Sequence, residues 1–183
     1  MPWNNSHGLA PRRFTCGHCG NLVASVVGYV HDTGQQFIYV CPNCDNPTFY
    51  NAKQQPLPGV AFGNSVLHLP PTIESLYMEA RRCTSASAYT ASVLLSRKLL
   101  MNIGVAQGAE EGKPFIFYVE YLASNGYVPP NGKGWVDHIR KKGNEATHEI
   151  VLMSDTDAKD LISFAEMLLK FIYEFPNRVP PAP

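Results

Sequence analysis

Two stretches of this 183-residue chain hold chemically capable side chains at short spacing. Cys16 and Cys19 form one CxxC pair, in FTCGHCG, and Cys41 and Cys44 form another, in VCPNCDN. Each CxxC makes a tight knuckle whose two thiolates point the same way. Two knuckles brought together set four sulfurs at the corners of a tetrahedron, the ligand set of zinc. A redox dithiol needs only one such pair, so the doubled motif points to one zinc on Cys16, Cys19, Cys41 and Cys44. Four thiolates complete its coordination, which makes that zinc structural. The second stretch is WVDHIRKKGNEATHE, residues 135–149. Val136 and Ile139 mark the apolar face of a helix, Arg140, Lys141 and Lys142 its basic last turn, and Gly143 its cap. Where helical geometry resumes, Asn144 and His148 share a face. A guanidinium, an amide and an imidazole together can hold a phosphate and move a proton near neutral pH. That makes Arg140, Asn144 and His148 candidate catalytic residues and Arg140 and Asn144 candidate phosphate ligands. The plainer reading is a basic helix end, a glycine cap and a histidine that satisfies a neighbouring carbonyl.

Positioning these residues falls to two kinds of element. Between the cysteine pairs, residues 22–30 and 36–40 read as strands joined by the turn residues His31 to Gly34, a small β-hairpin with the spacing of a zinc ribbon. His18, between two ligands, is expected to face solvent. Residues 1–13 read as a flexible arm on which Arg12 and Arg13 are solvated, 14–50 as the ribbon, and the proline-interleaved 51–71 as a linker. Residues 72–176 change to helical periodicity, and 177–183 read as a disordered tail. A first helix follows Pro71 with Ile73, Leu76, Tyr77 and Ala80 on one stripe. A second, 87–103, is apolar almost all round and therefore central. Arg97 within it needs an acceptor, for which Glu79 is the candidate, and it either braces the bundle or faces a phosphate. A third helix starts near Pro114 and ends at Gly126, and the fourth carries the polar stretch. The last has Ser154 as N-cap and stops at Pro176. Cys83 reads as a small buried hydrophobe. The predicted fold class is thus mainly α, five helices preceded by a small β-hairpin.

Composition narrows the partners. Lys plus Arg and Asp plus Glu number 15 each, so no global field draws the chain to nucleic acid or to an anionic surface. No apolar run reaches the ~20 residues of a membrane span, and the first residues lack the apolar core of a signal peptide. The expectation is a soluble cytoplasmic protein, whose cysteines serve metal ligation in a reducing compartment.

CPNCDNPTF, LPPTIESLYMEARRC, SVLLSRKLL and IRKKGNEATHE with the helix after it resemble the bacterial family known as domain of unknown function 4145, a HEPN-like helical domain. The likeness runs from Cys16 to Pro176. It implies a HEPN-like bundle, a homodimer with its polar motif at the two-fold, and an activity found in toxin, CRISPR and anti-phage systems, metal-independent cleavage of RNA. The family motif is an arginine, four to six residues, then a histidine, with a polar residue after the arginine. Asn144 and His148 match it, whereas the arginine position is Gly143 and Arg140 lies seven intervening residues from His148. Two functions follow. One is a binding module for nucleic acid or a protein partner, favoured by the missing arginine and the neutral charge. The other is a ribonuclease using His148 as acid or base, Asn144 to orient the phosphate, and Arg140 or Arg97 as the cation.

Overall fold

The structure, a computed structural model, describes residues 7–148 and 152–178; the side chains of His7, Lys133 and residues 143–148 lie outside the described set. The chain divides into two compact units, Met1–Ala61 and Phe62–Pro183.

The first unit is a five-stranded antiparallel meander in chain order. Its strands are β1 (His7–Thr15), β2 (Leu22–Val30), β3 (Phe37–Val40), β4 (Pro47–Tyr50) and β5 (Pro56–Leu57). This overturns the expected mainly α fold with a small hairpin: 17% of residues are in strands against 48% in helices, and the sheet is a substantial part of the molecule. The residues read as an arm supply β1 from His7 onward, and those read as a linker supply β5. Both carry prolines, which mask a strand pattern. Pro11 and Pro56 lie on the two edge strands and Pro47 opens β4, the places where a missing N–H costs no ladder bond. The sheet's inner face is small. Phe14, Tyr39 and Tyr50 form its aromatic centre at ring separations of 6.0 to 6.2 Å, with buried Cys16 and Cys41 beside them. Arg12, expected to be solvated, lies 3.6 Å over the Tyr50 ring and donates to Gln54 at 2.8 Å. Its charge finds a π face in place of water.

The second unit holds five helices, α1 (Pro71–Ser85), α2 (Tyr89–Ala106), α3 (Phe115–Ser124), α4 (Lys133–His148) and α5 (Asp155–Leu169). The apolar α2 is central, as its all-round hydrophobicity predicts: it touches the other four, burying Val93, Leu99, Leu100 and Ile103. Ser154 caps α5 reciprocally, its hydroxyl accepting from Asp157 N–H while Asp157 accepts from Ser154 N–H. Two boundaries differ from expectation. Gly143 does not end α4, which continues through it to His148. The last helix does not run on as α to Pro176: a π-helical turn, Lys170–Glu174, follows α5 and closes with Phe175 N–H on Lys170 O at 2.8 Å.

Residues 62–67 enter this unit as a strap held by side chains rather than by a ladder. Arg81, buried on α1, donates to Phe62 O at 2.9 Å and Gly63 O at 2.6 Å, and Thr84 accepts from Phe62 N–H. Tyr77 donates to Asn64 O at 2.8 Å, Glu166 accepts from Asn64 N–H at 2.8 Å, and Glu174 from Leu67 N–H at 3.1 Å. An irregular backbone against a core needs these partners, because an orphaned buried carbonyl or amide costs about 1 to 3 kcal/mol.

Candidate metal centre

The two cysteine knuckles are built alike. In the first, Cys16 N–H donates to Asn21 O at 2.9 Å and Gly20 N–H to Cys16 O at 2.8 Å; in the second, Cys41 N–H donates to Asn46 O at 3.0 Å and Asp45 N–H to Cys41 O at 2.9 Å. The fifth residue of each takes a left-handed conformation, Gly20 at φ 74° and Asp45 at φ 56°. Both sequences therefore read C-x-x-C-(G/D)-N, with a glycine or an aspartate where the chain turns back. Gly17 is required for another reason: a Cβ there would stand 2.4 Å from Pro58 O and 2.5 Å from Gly59 O, the segment that packs over the first knuckle.

β1 and β2 flank the first knuckle and β3 and β4 the second, so sheet pairing brings the sulfurs together. All four Sγ atoms lie within 4.8 Å of one another, with Cys16 to Cys44 and Cys19 to Cys41 at 3.8 Å. A Zn–S bond of ~2.3 Å in a tetrahedron sets its sulfurs roughly 3.8 Å apart, so the donor set fits zinc. Disulfides would need sulfurs near 2.05 Å, and the cysteines are free. As thiols the four are not equivalent. Burial pushes Cys16 up to about 11, whereas the Asn21 N–H, with help from Asn43, holds Cys19 down to about 6. Asn43 Nδ2 donates to Cys19 Sγ at 3.6 Å, a contact outside the ligand set that steadies a thiolate. His18 is exposed, as expected, and contacts Pro47 O at 3.0 Å.

The polar stretch is arranged differently from its sequence reading. Because α4 is continuous, Arg140, Asn144 and His148 follow at intervals of four on one helix. The side chains of Asn144 and His148 lie outside the described residues. Arg140 contacts Glu120 Oε1 at 2.9 Å and Asp137 Oδ1 at 3.8 Å, and Lys142 contacts Asp157 at 3.0 Å. Arg97 sets its guanidinium 4.7 Å from the Phe115 ring, and burial lowers its pKa; Glu79 is exposed on α1. Cys83 is half-buried, and burial raises its pKa. Arg81, Glu166 and Glu174, which hold the strap, were not foreseen. Their only trace in sequence is spacing by four, Tyr77 to Arg81, Glu166 to Lys170 and Glu174 to Arg178, which an exposed helix shows as well.

Fold and site define a sheet with four clustered cysteines at metal-binding spacing, joined in one chain to a helical unit. Residues 78–181, over half of the chain, match the model of a family described as Domain of unknown function (DUF4145), and the chain belongs to that family. The match begins within α1, so the sheet and its cysteines lie outside it. No curated protein and no solved structure matches. No described helix is long and apolar enough to cross a membrane.

Proposed function

We propose that the chain is a zinc-stabilised binding module that recognises a protein partner and breaks no bond. The observation that carries the first part is the pair of like-built knuckles with four sulfurs at tetrahedral spacing. Cys16, Cys19, Cys41 and Cys44 would hold the ion, which when bound cross-links the β1–β2 and β3–β4 knuckles at one end of the sheet. A closed thiolate set stiffens a surface for recognition and has no position for a substrate. A protein partner is favoured over nucleic acid by the state of the basic stretch: Arg140 and Lys142 are engaged with carboxylates of α3, α4 and α5, and the net charge is zero.

Elemental analysis of protein purified without chelator tests the metal, with about one zinc per chain expected. Less than about half, with no other metal in its place, overturns it. Mixed RNA incubated at high protein concentration, with and without chelator, tests the absence of cleavage. The second reading, a metal-independent HEPN-type ribonuclease, draws support from the continuity of α4, which aligns Arg140, Asn144 and His148. Cleavage that survives chelator and is lost in His148→Ala would establish it in place of the binding module.

A further inference from the structure

We infer that the four-cysteine cluster is also a thiol-oxidation site, at which a hydroperoxide converts Cys19 and Cys41 into a disulfide that joins the two knuckles in place of the metal. This rests on the zinc reading proposed above and adds to it a class of reactant and a route by which the metal is lost. The four sulfurs divide by depth. Cys16 and Cys41 are fully buried, whereas Cys19 and Cys44 are partly exposed. Each outer sulfur has an inner sulfur of the other knuckle 3.8 Å away, Cys41 for Cys19 and Cys16 for Cys44. A small neutral oxidant therefore meets the outer pair first, with the inner pair behind it as resolving thiolates. Cys19 is the better entry. Exposed His18 and Gly20 flank it, and the Asn43 amide, 3.6 Å from its Sγ, is within reach of an oxygen carried on that sulfur.

The chemistry runs in two displacements. The Cys19 thiolate attacks one peroxide oxygen, the O–O bond breaks, hydroxide leaves, and Cys19 becomes a sulfenic acid. The Cys41 thiolate then attacks the Cys19 sulfur from the buried side, opposite the added oxygen. The S–S bond forms, the S–O bond breaks, and a second hydroxide leaves toward solvent. The two thiolates give up one electron each, and the peroxide takes both. The sulfurs close from 3.8 Å to about 2.05 Å, a step within the range of side-chain rotation. Cys16 and Cys44 alone do not complete a tetrahedral thiolate set, so the zinc is released. The new bond runs between the β1–β2 and β3–β4 knuckles, so the sheet keeps a cross-link where the ion had been. A disulfide within either CxxC would leave the knuckles unlinked.

Dilute full-length protein of measured zinc content, treated with about a tenfold excess of hydrogen peroxide beside a chromophoric zinc indicator, tests this. The expected result is release of the bound zinc together with a disulfide between Cys19 and Cys41. Chymotrypsin cuts between the knuckles, at Tyr29 and Tyr39 among others, so a cross-knuckle bond joins two peptides and a bond within a CxxC joins none. The sheet's dispersed amide resonances should survive peroxide, and dithiothreitol with added zinc should restore the loaded form. Zinc retained under excess peroxide overturns the inference. So does zinc released without a link between the knuckles, or with loss of the sheet's dispersion. Those results leave the zinc reading standing, whereas protein purified without metal overturns that reading and this inference with it, so the two failures are told apart before peroxide is added.

Discussion

At the scale of single residues, polar groups decide where the irregular chain can run. Arg81 is buried, and its donors answer two carbonyls of the strap. Replacing it by alanine orphans Phe62 O and Gly63 O and is expected to destabilise the helical unit by about 2 to 4 kcal/mol, read as a lowered denaturant midpoint, with Arg81→Lys recovering part of the loss. Cysteine types and spacing announced the four-cysteine cluster; the strap's partners were silent. A metal-ligating CxxC is legible because its geometry is local, each knuckle closing within six residues. Arg81 meets carbonyls 18 and 19 residues away, and no local pattern encodes which carbonyl a guanidinium will find.

At the scale of elements, continuity of α4 and the acidic anchors of α5 make separate predictions. Gly143 lies inside a helix, so Gly143→Ala is expected to stabilise the protein by roughly 0.5 to 1 kcal/mol. At a left-handed cap the same change would destabilise, so the sign of the shift in midpoint discriminates between them. On α5, Asp157 is raised by burial but held low on balance by Ser154 and Lys142, and Glu166 likewise by Lys170 and Asn64. Depressed carboxylates stabilise the folded state above their unfolded values near about 4, and that contribution is lost as pH falls through the depressed ones. Thermal melts should be nearly flat from neutral pH to about pH 5 and fall steeply below about 4. Glu166→Gln should flatten the acid limb.

For the whole molecule, the two units depend on different forces. Among the described residues, the sheet's buried apolar core is three aromatics and two cysteines, too little to hold a unit of this size without a staple. The helical unit buries fully apolar layers from all five helices. Chelator is therefore expected to abolish the β unit's dispersed amide resonances while helical ellipticity persists, and restored zinc should bring them back. A chain that keeps the sheet's dispersion with the metal removed contradicts this.

The sequence alone determined what is local and periodic. It specified the clustering of the four cysteines, the strands between them, the apolar stripe of each helix, the central place of α2 and the cap at Ser154, because these follow from spacing over a few residues and from burial of one face. Tertiary structure decided what depends on partners far along the chain. Edge strands rich in proline pair through backbone groups that no side-chain pattern reveals, which turned an expected hairpin into five strands. Whether Gly143 caps or continues a helix depends on what the helix packs against, since a cost of about 1 kcal/mol is within reach of tertiary contacts. Glu174 of the π turn accepts from Leu67 N–H of the strap, 107 residues away, while Phe171 and Phe175 stay partly exposed, a pairing that no local pattern encodes.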